Sequence, residues 1–130
     1  MQLNKLELEQ KIDRATKYLI NRKNFKAIKY LNKFLDKDPS NDEGWLLLGI
    51  AKRRIGELDE AIKCLNAAVK LNTSKLEAWG LLTMTLIDKG EVNKAMAIIE
   101  KAGELNPYNS KIKFFCNNLV RVYIKFGPFF

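Results

Sequence analysis

The chain has 130 residues, 47% apolar and 29% charged, with a net charge of +8. That is enough apolar material for one core and enough charge for a hydrated surface, so one domain or one short array is expected. There is no histidine, which removes the commonest general base and the commonest metal ligand. With no glycine-rich phosphate loop and no paired-carboxylate pattern either, neither catalysis nor a bound cofactor or metal is expected.

The charge is uneven. Residues 1–41 carry ten Lys and Arg against five acids, and residues 110–130 carry four against none. The longest apolar run, Trp45–Ala51, is too short to span a bilayer. The opening MQLNKLELEQ has acids where a signal peptide has an apolar segment. A cytoplasmic location is therefore expected. Cys64 and Cys116 lack a CxxC or metal-ligand spacing and are expected to be reduced and buried.

Helices are predicted at about Leu3–Asn21 and Asn24–Asp36. The second carries Lys26, Lys29, Lys33 and Lys37 on one stripe, continued by Arg22 and Lys23. It reads either as a solvated outer face or as a basic patch for an acidic partner or nucleic acid. Helices follow at about Asp42–Arg54, Leu58–Leu71, Leu76–Lys89 and Val92–Leu105, each with apolar residues at helical spacing. Gly56-Glu57 and Gly90-Glu91 break them into pairs. Ser40-x-x-Glu43 and Ser74-x-x-Glu77 predict capping boxes. A last helix over 110–126 has an inward stripe of Ile112, Phe115, Cys116, Leu119 and Tyr123. Its other side keeps Phe114, Val122, Ile124 and Phe126, and Gly127-Pro128-Phe129-Phe130 follows.

These segments repeat. A shift of 34 residues carries Trp45 to Trp79, Leu48 to Leu82, Gly56 to Gly90, Ala61 to Ala95, Leu65 to Ile99, Ala68 to Ala102 and Asn72 to Asn106. Such a period marks stacked supersecondary units, with copies at about 8–41, 42–75 and 76–109. In the first copy, strict phase would put Lys11 and Arg14 at core positions. One residue fewer in the Arg22–Asn24 turn puts Ile12, Ala15 and Leu19 there instead, and that shortened turn is the expectation.

Trp45-x2-Leu48-Gly49, Ala61-x3-Leu65, Trp79-x2-Leu82, Ala95-x3-Ile99 and Pro107 resemble the tetratricopeptide (TPR) pattern. Lys52 and Leu86 stand where that family has Tyr, and Thr73 where it has Pro. The resemblance implies an all-α, right-handed superhelical stack of three helix-turn-helix repeats plus a C-terminal capping helix, serving as a non-catalytic protein-interaction module. It implies that the first helices line a concave groove and that the lysine stripe lies on the convex side. Positions two, five, nine, twelve and thirteen of the repeat would face the groove. These are Glu43, Leu46, Ile50, Arg53 and Arg54; then Glu77, Gly80, Met84, Ile87 and Asp88; then Lys111, Phe114, Asn118, Arg121 and Val122. The family's grip on a chaperone C-terminal carboxylate uses Lys, Asn and Arg where this chain has Leu46, Ile50 and Leu81, so that use is excluded. The expected partner is an amphipathic or hydrophobic peptide held by Leu46, Ile50, Gly80, Met84, Ile87 and Phe114, with Arg53, Arg54 and Arg121 at the edge. Self-association through the apolar C-terminal helix, or filling of the groove by Phe129-Phe130, is the alternative. Binding of nucleic acid by the basic N-terminal face is disfavoured.

Overall fold

The computed structural model describes residues 4–126, apart from the side chains of Val120 and of the residues after Arg121. The tail from Gly127 to Phe130, for which plugging of the groove or self-association was the alternative, lies outside the described residues. So do the side chains of Val122, Tyr123, Ile124 and Phe126. Seven α-helices follow one another: α1 (Lys5–Ile20), α2 (Asn24–Lys37), α3 (Asp42–Arg54), α4 (Leu58–Leu71), α5 (Leu76–Asp88), α6 (Val92–Leu105) and α7 (Ser110–Phe126). Among the described residues there is no strand. This is the all-α stack of helix pairs that the repeat implied, and none of its helices is long and apolar enough to cross a membrane.

The pairs close on small residues. Ala27, Ala61 and Ala95 occupy equivalent places in the second helices and are fully or almost fully buried. A Cβ on Gly49 would stand 2.8 Å from the Leu65 Cγ, so α3 and α4 approach more closely than any larger side chain allows. Two clusters result. One gathers Leu31, Phe34, Leu35, Leu47 and Leu48; the other gathers Leu65, Trp79, Leu82, Ile99 and Ile112. Trp45 and Ile50 pack against both and join them into one core.

The two tryptophans do the same local work. The Trp45 indole N–H donates to the Pro39 carbonyl at 2.7 Å, and that of Trp79 to the Thr73 carbonyl at 2.8 Å. Each ties the start of a first helix to the loop before it. Trp79 is 1% exposed. Trp45 is only partly buried, over the seam between the clusters.

Helix starts differ from expectation. The capping box is on α1, where Asn4 and Glu7 exchange hydrogen bonds of 2.9 and 3.1 Å. The cap of α3 is Asn41, whose side chain accepts from the Gly44 N–H at 2.8 Å, and α5 has no side-chain cap. Ser40 and Ser74 turn instead to Asp38 and Asn72, two residues before them. Such short Asx contacts compete with capping.

The first copy corrects a second expectation. Its turn is not shortened. Arg22, Gly56 and Gly90 sit 34 residues apart with φ of 58°, 84° and 85°. Each turn repeats the same bonds, Lys23 N–H to Tyr18, Glu57 to Lys52 and Glu91 to Leu86. Ala15 and Leu19 are nevertheless buried, as expected. Lys11 and Arg14 do not join the core; their charged ends lie 6.0 and 5.8 Å from the Tyr30 ring centre. Both cysteines are free and buried; burial pushes the Cys64 thiol up to about 11 and raises that of Cys116.

Charge ties successive repeats. Lys75, just before α5, lies 3.2 Å from Asp42 and 2.6 Å from Glu43 at the start of α3, and Asn72 donates to Asp42 at 3.1 Å. Burial opposes the charge on Asp42, but Asn72 and Lys75 outweigh it and lower its pKa. Burial likewise opposes the charge on Lys75, but Glu43 and Asp42 outweigh it and raise its pKa.

Three outcomes are expected. Arg22→Gly should stabilise the chain by about 1 kcal/mol in urea denaturation, because arginine carries a left-handed conformation that costs it about 1–2 kcal/mol. Gly49→Ala should destabilise it by about 1–3 kcal/mol, since Leu65 must move. The melting temperature should fall below about pH 4, as Asp42 is protonated, and again above about pH 10.5, as Lys75 loses its proton. A lowered carboxylate pKa stabilises above its unfolded value, and a raised amine pKa stabilises below its own. Lys75→Met should flatten both limbs, and unchanged limbs in that variant would remove the network from the account.

Candidate functional site

The two sides of the stack are unlike. α1 touches α3, and α3 touches α5, so the first helices stand side by side on the inner curve. The second helices draw apart, and α4 and α6 leave a cleft of about 660 Å³ between them. Its floor is Ile62, Leu82, Leu86 and Ile98, and its rim carries Lys63, Lys89 and Glu91. No reading of the repeat indicated this cleft, because it depends on how far the second helices diverge.

On the first helices, Met84 of α5 is 50% exposed and Phe114 of α7 is 69% exposed. Ile50 and Ile87 are partly exposed, with their inner edges against the core. Gly80 is partly open too, and the Phe115 ring comes within 3.7 Å of where its Cβ would stand, so α7 fills part of the notch.

Leu46 is a correction. It is 2% exposed and lies in the main cluster. α3 sits between α1 and α5 and is covered from both sides, so this side chain supports the stack and is closed to a ligand.

The expected edge cations are partly committed to the protein itself. The Arg53 Nη2 lies 2.7 Å from the Asp88 carboxylate, linking α3 to α5, and the Arg53 Nε is buried without an acceptor among the described residues. Arg54 donates to the Leu19 carbonyl at 2.7 Å, which also accepts from the Arg22 N–H at 3.1 Å, so it ties α3 to the end of α1. Arg121 is exposed. Glu43 is held by Lys75.

One exposed apolar residue at a groove position was missed. Ile20, the last residue of α1, is 71% exposed. In strict register it stands 34 residues before Arg54, at the thirteenth position, one of those that the family turns toward the groove. The assumed shortened turn hid it. Among the described residues no group of His, Cys, Asp and Glu could hold a metal ion.

Comparison with known proteins agrees with this geometry. Tetratricopeptide repeat profiles match residues 23–85 and 76–109. No curated protein sequence matches the chain. Among solved structures it is similar to MamA, at 30% identity and a TM-score of 0.69 over 76% of this chain, though it spans only 58% of that one. It is also similar to the type III secretion translocator chaperone SycD of Yersinia enterocolitica, determined with a peptide of the translocator YopD. That likeness has 20% identity, a TM-score of 0.77, and covers 93% of this chain and 92% of that one. A third likeness is to the first TPR domain of Spaghetti (RPAP3) bound to the HSP90 peptide SRMEEVD, at 21% identity and a TM-score of 0.72, covering 94% of this chain and 99% of that one. At those last two identities the likeness is one of fold. The two profiles, the 34-residue period and the seven-helix stack together place this chain in the tetratricopeptide repeat family.

Proposed function

We propose that this chain is a non-catalytic, cytoplasmic protein-interaction module whose first-helix face takes an amphipathic or hydrophobic peptide. The observation that carries the reading is the exposure of Met84 and Phe114, 50% and 69%, on neighbouring first helices. Ile50 and Ile87 extend that apolar surface, and Ile20 lies at its far end. Methionine adapts its shape to different apolar partners, and anchors spaced along helices suit a peptide with apolar residues on one face.

The SycD and RPAP3 structures support a peptide-binding role by fold alone. The side-chain chemistry here is different: Ile50 and Leu81 replace the polar residues that grip a C-terminal carboxylate, and Arg53 is held by Asp88. The reading is therefore of a face that selects apolar side chains, with Arg121 free to meet an acidic flank.

Selection of peptides from a displayed library, followed by titration against variants, tests this. Met84→Asp and Phe114→Asp should each weaken the selected peptides at least about tenfold, the loss expected when one large apolar anchor leaves its contact. Retained affinity in both variants would move the site elsewhere, the α4–α6 cleft first. A sedimentation experiment on the same variants separates the alternative: a dimer that Phe114→Asp dissociates would make α7 a self-association surface.

A further inference from the structure

The α2 face plays no part in that reading. α2 buries Ala27, Leu31, Phe34 and Leu35, and Lys26, Lys29, Lys33 and Lys37 are all exposed on its other side. At 1.5 Å per residue the row is about 16 Å long. Arg22 and Lys23 extend it through the turn, and both are exposed. Among the described residues none of these six cations makes an ion pair, whereas Lys63, Lys89 and Lys94 of the later repeats each do. The fold does not require the row. The equivalent residues of α4 are Glu60, Lys63, Ala67 and Leu71, and those of α6 are Lys94, Ala97, Lys101 and Leu105. Like charges at three- and four-residue spacing also disfavour the helix that carries them.

We propose that this face seats the protein on an anionic lipid bilayer. Three features choose a membrane over other polyanions. First, the row lies on the second helix of its pair, on the outer side of the stack, so all its ammonium groups can meet a flat surface together. Second, the row itself is lysine throughout. Lysine acts as a point charge and suits a diffuse negative surface, whereas base edges and carboxylates are read by the arginine fork. Third, Phe25 is 73% exposed and stands one turn before Lys29, where its ring can enter the interface beside the cations. Of the other aromatics of this end, Phe34 is buried and Tyr30 is overlaid by Lys11 and Arg14 and edged by Tyr18, so neither of these two offers a free platform for stacking a base. Clusters of four to eight basic residues on an amphipathic helix are a recognised signature of binding to anionic lipid.

Vesicle flotation of the whole chain tests the proposal, with phosphatidylserine-containing and purely phosphatidylcholine vesicles at about 0.1 M salt, where charges act over about 10 Å. Binding is expected to the first and not to the second, and is expected to weaken steeply as salt rises. Lys29→Glu/Lys33→Glu should lose well over tenfold in affinity, since each cation at the surface contributes about a fivefold factor. Phe25→Ala should lose several-fold, and Met84→Asp should bind as the parent does, which separates this face from the peptide face. All three changes are at exposed positions, and circular dichroism confirms the fold of each variant. Equal binding to both vesicle types, or undiminished binding by the double lysine variant, would overturn the proposal. So would displacement from vesicles by a DNA or RNA oligonucleotide at matched phosphate concentration, which would make the row a nucleic-acid surface.

Discussion

The close approach of the two helices within each pair is the constraint on which the rest depends. Where α3 meets α4, Gly49 leaves no room for even a methyl group beside Leu65. The alanines at the equivalent places of the second helices, Ala27, Ala61 and Ala95, are shielded from water in the same way. Small residues at the crossing leave room for the larger ones, Leu31, Leu65 and Ile99, to pack into the two clusters without voids. Close packing inside a pair therefore makes packing between pairs possible. Without it, the two clusters that Trp45 and Ile50 bridge would not meet.

From this follows the difference between the two sides. First helices abut one another and hold Arg53 to Asp88 across the α3–α5 seam. Second helices spread, and their outward residues are free of packing demands. The chain uses that freedom differently along its length. α2 carries a row of lysines that is unpaired among the described residues, while α4 and α6 flank a cleft with an apolar floor and a rim of paired charges. A single repeat pattern thus supports surfaces of three distinct chemistries: an apolar inner face, a basic outer end and a mixed outer cleft.

The first and last helices depart most from the repeat pattern. The position filled by Leu48 and Leu82 in later copies is Arg14 in α1, lying over Tyr30. Its turn keeps the repeat's register even though an arginine occupies the left-handed place that glycine holds elsewhere. Backbone hydrogen bonds at that turn are the same in all three copies, and they prevail over the side-chain preference. At the other end α7 covers α6 through Ile112 and Cys116, and the Cys116 thiol donates to the Ile99 carbonyl.

Much of this was legible in the residues. Period, helix limits and the buried stripe of each helix follow from apolar spacing and glycine breaks, which are local properties of the chain. The bounds of α3, α4 and α6 were read without error, since strong turn signals lie on both sides of each. The family resemblance also implied an apolar inner face, where Met84 and Phe114 are exposed. Other features were decided only when helices from distant parts of the chain came together. Leu46 and Ile50 are both apolar and one turn apart, yet one is closed in the core and the other keeps an open edge, because α1 and α5 cover α3 unequally. Arg53 and Arg54 are adjacent cations in the sequence. One is bound by an acid 35 residues away and the other by a carbonyl 35 residues before it. Ser40 lost its capping role to Asn41, while Ser74 bonds Asn72 and α5 begins without a side-chain cap. Sequence by itself determined which residues are apolar and with what period. Tertiary structure decided which of them water still reaches, because that depends on the angle between neighbouring helices rather than on any one of them.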